Sequence, residues 1–366
     1  MEHPEYGEDV SDARVYYALT PGTEITLLEN GVVVFRSPVQ SLQLEGESAH
    51  FFANRVVPLL DGRTHVERIC EQLAVAPEGL SSHLDMLAQA GVLVRSEYPS
   101  SEMGGDDIAR PFRELLQSLE IPHEKVVRHL SELRILILGM GSIGAQVADL
   151  LARVGIGQLI LSDPFECRQA DLLVMPMLSE HALGDNRARV VAHALSQRGL
   201  IKGQRVTADT ERYSEAHLRE LSEGADLLIC LPDNRLGRVR HWVNRIALQT
   251  GIPALFGSLQ GYRAFAGPLV IPDETGCYMC WRMRHMACAE DFAASMAFEE
   301  SCNESNPQVL PEEPSLPHLA SLLASVLSAE VLKTLLAIGS SGLAGKVIEI
   351  HAWDLDLKRQ LFPGKF

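Results

Sequence analysis

The run LRILILGMGSIG at residues 133–144 restricts the fold of this chain more than any other feature. A continuous apolar strand gives way to Gly139, Gly141 and Gly144 and then to a helical pattern over 143–154. Glycines at this spacing allow a tight turn, let the backbone approach a phosphate, and let the helix pack closely on the strand. Ser142 sits inside the turn, and the N-terminus of the following helix presents its positive end to an anion. Asp163 closes the next apolar strand, QLILSD, at the place where a carboxylate binds ribose hydroxyls. Nicotinamide, flavin and ATP enzymes share this arrangement, so it predicts nucleotide binding without naming the nucleotide.

The pattern continues downstream. Buried-type strands at 204–209, 225–231 and 252–259 alternate with helices over 186–197, 215–221 and up to 249. Apolar strands separated by helices imply a parallel sheet covered on both faces, an α/β doubly wound Rossmann-like domain. The helix expected over 319–337 and the strand expected over 346–356 should extend that sheet.

Upstream the grammar differs. Residues 24–44 are short β-branched runs punctuated by Asn30-Gly31 and Ser37-Pro38, which predicts three antiparallel strands with a tight hairpin. Helices are expected over 47–60, over 64–73 with Thr64 as N-cap and Glu67 at the capping-box position, and over 77–90, before a strand at 92–95. This order describes a winged-helix-like module. Its third helical segment contains no Lys or Arg, and the whole chain carries a formal charge of -16, so a duplex nucleic acid partner is excluded. Residues 98–107 have a polar, Gly-containing linker composition. The expected organisation is therefore 1–97 for the N-terminal domain, 98–109 for the linker and 110–366 for the nucleotide-binding domain.

No run approaches about 18 uninterrupted apolar residues, and the first residues are acidic rather than basic and apolar, which sets the expectation of a cytoplasmic protein with no membrane partner. The seven cysteines read as reduced thiols or metal ligands. Cys70, Cys167 and Cys230 lie in apolar segments and are expected in the core, whereas Cys277, Cys280, Cys288 and Cys302 lie close together in sequence.

A more specific reading comes from motifs taken in order. Gly184 and Arg187, Asp233-Asn234 after a strand, Arg238, Gly267-Pro268 before Ile271-Pro272, and the Cys277/Cys280 pair occur in the order and spacing of the ThiF/MoeB family. The chain resembles that family, which has the ubiquitin-activating-enzyme fold and adenylates carboxylates, over roughly 110–361. The resemblance implies ATP and Mg²⁺. Gly139, Gly141, Ser142 and Gly144 would line the phosphates with Asn234 nearby, Asp163 would hold the ribose, Arg187 would meet phosphate charge, and Asp233 would organise the magnesium. It also implies a homodimer, because Arg110-Pro-Phe-Arg113 is similar to a family helix whose second arginine reaches the partner subunit's nucleotide. Two departures stand out. Phe165, with Glu166 beside it, replaces an acid. Asp171, Val174 and Met175 stand in a segment that normally supplies an arginine, with Arg168 as a potential substitute. The family's structural zinc uses two Cys-x-x-Cys pairs; Cys277 and Cys280 supply one, and Cys288, Cys302 or His285 would have to complete it.

The N-terminal module resembles the PqqD-like RiPP recognition element, a winged helix that binds the leader of a ribosomal precursor peptide. Strand 39–44 and helix 80–90 would form its groove by strand addition. The combination resembles the peptide-maturing branch of the family, of the pantocin A and microcin C type. It implies ATP-dependent activation of precursor carboxylates, with glutamate side chains favoured. The alternative is a scaffold without catalysis that delivers the precursor to a separate cyclodehydratase.

Overall fold

The computed structural model describes residues 15–96 and 129–361, except 21, 29–30, 38–39, 200–202, 233–235, 289–290, 298–315 and 354–356. The chain divides into two compact units, Met1–Arg128 and His129–Phe366. Arg110, Arg113 and the linker expected at 98–109 lie outside the described residues.

In the first unit, β1 (Tyr16–Leu19) pairs antiparallel with both β5 (Asp61–His65) and β6 (Leu93–Ser96). A separate antiparallel meander holds β2 (Glu24–Leu27), β3 (Val33–Arg36) and β4 (Ser41–Leu44). Helices α1 (Glu47–Phe51), α2 (Val66–Leu73) and α3 (Pro77–Gln89) pack with these strands around Tyr17, Phe35, Phe52, Ile69, Leu84 and Leu87. Tyr17 donates to Asp85 at 2.7 Å, and burial together with that carboxylate pushes the phenol up to about 12.

Two local expectations change. The segment 47–60 is α-helical only to Phe51 and continues as a wide turn over Phe52–Val56 and a tight one over Val57–Leu59. Pro58 has no N–H to donate to a preceding turn. Thr64 is not an N-cap: it lies in β5, which is drawn into a strand by Tyr16 and Ala18, and α2 starts at Val66 after His65. Asp61 Oδ1 accepts the N–H groups of Arg63 and Thr64, each at 2.8 Å.

The second unit contains β7 (Arg134–Leu138), α4 (Gly144–Val154), β8 (Gln158–Ser162), α5 (Gln169–Val174), α6 (Arg187–Arg198), β9 (Arg205–Asp209), α7 (Glu215–Leu221), β10 (Leu227–Cys230), α8 (Gly237–Thr250), β11 (Ala254–Gln260), β12 (Arg263–Val270), α9 (Tyr278–Ala287), α10 (Pro317–Leu335), β13 (Lys346–His351) and β14 (Leu357–Leu361). They build one sheet in the order β14-β13-β12-β11-β10-β7-β8-β9. The strands from β9 across to β11 are parallel, and β12 to β14 extend the sheet antiparallel. The residues of β7 are wholly apolar after Arg134 and buried, as a strand covered on both faces requires. By length and composition α10 could cross a bilayer, with mean hydropathy 1.3 over its window. Here it packs on α4, β11 and β12, with Leu319, Leu323 and Leu327 fully buried.

Candidate active site and peptide groove

In this sheet order the chain steps outward from β7 through β8 to β9 and then crosses back to β10 on the other side of β7, which makes the carboxyl ends of β7 and β10 the switch point where ligands bind. The glycine turn lies there. Gly139 has φ +89°, and a Cβ on it would stand 2.3 Å from the Leu231 carbonyl oxygen and 2.7 Å from Pro232 Cα. A Cβ on Gly144 would stand 1.8 Å from the Gly139 oxygen. The turn after β7, the segment after β10 and the start of α4 are thus pressed together as backbone against backbone. Gly139 N–H also donates to Ser162 at 2.9 Å, Gly141 accepts from Ala145 at 3.2 Å, and Ser142 accepts from Gln146 at 2.7 Å.

Asp163 is only 2% exposed and ties the turn to the next loop. Its Oδ2 accepts from Met140 N–H at 2.6 Å, and its Oδ1 accepts from Phe165 N–H at 2.8 Å. The carboxylate expected to meet ribose therefore also fixes the glycine turn. Phe165 is half-buried and Glu166 is exposed.

Arg187 opens α6, which is capped by Asn186: that side chain accepts from Arg189 N–H at 3.0 Å and donates to the Asp163 carbonyl at 2.7 Å. The Arg187 guanidinium makes a two-pronged pair with Asp171 on α5, at 2.8 and 2.9 Å, with both side chains less than a tenth exposed. Its charge, expected to face phosphate, is balanced inside the protein. Asp171 also accepts from Arg168 N–H at 2.8 Å. Val174 and Met175 are buried, so the segment that lacks an arginine contributes packing instead. Gly184 has φ +84° and donates to Cys167 at 3.0 Å.

A residue that the sequence reading passed over also contributes. Arg240 on α8 is 4% exposed and donates to the Pro232 carbonyl at 2.6 Å, whereas Arg238 is exposed. Asn244, one turn on, accepts from Tyr278 N–H at 2.9 Å and joins α8 to α9. The available signal was an Arg and an Asn four residues apart among Val239, Val243, Ile246 and Ala247, on the buried stripe of an amphipathic helix. Asp233 and Asn234, which follow Pro232 in the chain, lie outside the described residues.

Cys277 and Cys280 are half-buried, with their sulfurs 3.6 Å apart. Cys288 is exposed, and Cys302 lies outside the described residues. The His285 ring stacks on Trp281 at 5.1 Å and meets Phe265 edge-on at 5.7 Å; burial, then Arg282, lowers its affinity for a proton. Among the described residues no three His, Cys, Asp or Glu side chains gather as a metal site. Cys70, Cys167 and Cys230 are buried; burial pushes the Cys167 thiol up to about 11 and Cys230 to about 12.

In the first unit, β4 occupies one end of the meander, and among the described residues it pairs with β3 alone. Beside its C-terminal end lies a cavity of about 480 Å³, lined mainly by apolar side chains that include Leu44, Phe51, Leu80 and Met86, with Glu45 and His83 as its charged or titratable groups. Phe51 and Met86 are 42% and 47% exposed, so the cavity opens toward solvent.

A parallel sheet with a glycine turn at its switch point defines a doubly wound nucleotide-binding fold. The ThiF family model matches residues 113–364, and the chain belongs to that family. The sulfur carrier protein ThiS adenylyltransferase of Escherichia coli is 26% identical over 151 residues, 41% of this chain and 59% of that protein. The chain spans about half the length of the curated relatives it matches. Among solved structures, E. coli MccB with ATP superposes with TM-score 0.69 at 20% identity, covering 94% of this chain and 96% of that one. PaaA superposes with TM-score 0.67 at 18% identity, covering 93% and 98%. At these identities the likeness is one of fold, and it extends over nearly the whole chain.

Proposed function

We propose that this chain is an ATP-dependent enzyme that activates carboxylates on a ribosomal precursor peptide, with glutamate side chains as the groups activated. The observation that carries the reading is the packing of Gly139 against Leu231 and Pro232, which brings the phosphate-type turn and the segment leading to Asp233 to one switch point. Chain-long likeness to MccB, solved both with ATP and with MccA, supports it, as does likeness to PaaA.

The site fits a nucleotide in its backbone: the absence of side chains at Gly139 and Gly144 lets the turn, the start of α4 and the segment after β10 close on one another, and α4 directs its N-terminus at the turn. In this reading Gly139, Gly141, Ser142 and Gly144 line the phosphates, Asp163 meets the ribose from a position fixed by its two N–H donors, and Arg240 steadies the strand end that runs into Asp233. Asp233 would hold Mg²⁺, which supplies positive charge to the triphosphate. A carboxylate is a poor electrophile. Attack of its oxygen on the α-phosphorus, with release of pyrophosphate, forms an acyl adenylate from which AMP can leave; attack on the γ-phosphorus, with release of ADP, forms an acyl phosphate. Positioning and charge stabilisation carry either route. The first unit is read as a PqqD-like winged helix in which a leader strand adds to β4 beside the apolar cavity. Arg113 reaching across a homodimer completes the proposal.

Peptide-dependent ATP consumption, abolished by Asp233→Ala, is the expected result; turnover surviving in that variant rejects the role given to Asp233. One observation favours a second reading, a peptide-binding scaffold without catalysis: Arg187 is paired with Asp171, and Val174 and Met175 are packed where a cation was expected. Titration calorimetry with ATP and Mg²⁺ separates the two, since a scaffold gives no heat of nucleotide binding.

A further inference from the structure

The cavity beside β4 combines an apolar wall with a polar lining of one character. Leu44 at the end of β4, Phe51 on α1, and Leu80 and Met86 on α3 supply the wall, and the exposure of Phe51 and Met86 at its mouth favours an apolar occupant. Glu45 brings a formal negative charge, and no Lys or Arg lies among the described lining residues. His83 is fixed by a hydrogen bond at 2.6 Å between Nδ1 and the Gly79 carbonyl oxygen. A carbonyl only accepts, so Nδ1 carries the proton and Nε2 of the neutral ring is an acceptor. Ser48 adds a hydroxyl that donates or accepts. A carboxylate and a second acceptor together complement a cation that carries N–H donors.

We propose that this cavity selects its peptide by a paired signature: a large apolar side chain seated among Leu44, Phe51, Leu80 and Met86, and a Lys or Arg within two residues of it that meets Glu45 and His83. The inference rests on the reading of the first unit as the peptide-binding one and adds the side-chain chemistry by which it chooses. The edge strand supplies the geometry. Along β4, Leu42 and Leu44 are half-buried while Ser41 and Gln43 are exposed, the alternation of a strand with one covered face. A peptide strand added to β4 alternates in the same way, so its residues two apart share the cavity side. At about 480 Å³ the cavity has room for more than one side chain.

Charge acts at two ranges. The formal charge of -16 on the whole chain steers a basic segment toward the protein, and Glu45 then fixes where that segment docks. The same carboxylate sorts one end of the peptide from the other, because the carboxylate-bearing residues to be activated are repelled from the cavity that holds the basic signature.

The test uses the full-length chain and fluorescein-labelled nonapeptides of Thr and Val that carry a central Phe and one test residue, Lys, Ser or Glu, repeated two positions to either side of it. Fluorescence anisotropy should show the Lys peptide binding about fivefold tighter than the Glu peptide, with the Ser peptide between them. Glu45 is exposed, so Glu45→Lys leaves the core intact, and it should reverse that order. Salt at about 1 M, where screening acts within about 3 Å, should level it. Gly79→Phe should weaken the Lys peptide by filling the cavity. Equal affinity for the three peptides overturns the charge rule while leaving peptide capture by this unit standing, which separates the two failures. An order unchanged by Glu45→Lys, no anisotropy rise with the Lys peptide, or binding indifferent to Gly79→Phe also overturns the proposal. So does a concentration-dependent dimer in sedimentation that Gly79→Phe dissociates, since the cavity then belongs to a second copy of the chain.

Discussion

Gly139→Ala offers the sharpest test of the switch-point geometry, because the structure separates two costs that glycine replacements usually mix. The first is backbone strain: Gly139 has φ +89°, and an L-residue there costs about 1–2 kcal/mol. The second is steric, since the new Cβ would lie 2.3 Å from the Leu231 carbonyl oxygen and 2.6 Å from its carbon. Restoring ordinary contact requires the segment Leu231–Pro232 to retreat by about 1 Å, a displacement that can reduce catalysis roughly a hundredfold when it moves a reacting group. Gly251 supplies the control. It ends α8 at φ +79°, and a Cβ on it meets nothing within 4 Å, so Gly251→Ala carries the strain without the collision. The two variants should lose comparable stability in chemical denaturation, apart from the collision, while peptide-dependent ATP turnover falls by about two orders of magnitude in Gly139→Ala alone. Turnover in Gly139→Ala within twofold of Gly251→Ala would refute the claim that the close approach of these two segments organises the site.

Other expectations follow from single contacts. Asp171→Ala removes the carboxylate that balances the buried Arg187 guanidinium and should cost about 3–5 kcal/mol in urea unfolding; a loss below about 1 kcal/mol would mean that the pair is solvated. His241 and His285 are both held below the ordinary histidine range, first by burial and then by neighbouring arginines led by Arg282. Their folded state binds protons less readily than the unfolded chain, so the stability they contribute is present above the ordinary value of 6.5 and is lost as pH falls below it toward the depressed folded-state value. The urea midpoint should drop between about pH 7.5 and about pH 5.5, and less so in the double Gln variant; a flat profile contradicts this. Gly79 lines the cavity of the first unit, and a Cβ there meets nothing within 4 Å, so Gly79→Phe should fill the space without unfolding the domain. Fluorescence anisotropy with a labelled precursor peptide should then show at least tenfold weaker binding; unchanged affinity places the peptide elsewhere.

How much of this was legible beforehand depended on where each element finds its partner. The strands β7, β8 and β10 were read to within a residue or two because buried parallel strands are continuous apolar runs, whereas β9, a largely exposed edge strand, was legible from its place between helices α6 and α7. β1 and β5 escaped notice. DGRTH has turn composition and becomes a strand only because Tyr16 and Ala18 lie opposite it. β12 carries Gly267-Pro268 in its middle, a breaker signal overridden by pairing with β11 on one side and β13 on the other. The same limit applies to the site. The glycines were visible as spacing, whereas the Asp171–Arg187 pair joins side chains 16 residues apart, and nothing in either local pattern predicts that they meet.

That pair also changes how charge must be supplied if the site takes ATP. A helix N-terminus contributes about half a positive charge, and α4 and its glycine turn are the described groups aimed at the phosphate position. Arg187 brings one positive charge and Asp171 cancels it at hydrogen-bond distance, so from the position of a triphosphate the two act as a dipole rather than a cation. Val174 and Met175 add none. In the proposed enzyme the triphosphate therefore depends on magnesium held by Asp233 and on an arginine from the segment around Arg113. In the scaffold reading the same internal neutralisation is the stable end state of a site that no longer has an anion to hold. A buried two-pronged pair is costly to break because each charge would lose its opposite while still desolvated. Phosphate binding by Arg187 would have to exceed that cost, whereas binding through magnesium and a second arginine would leave the pair closed.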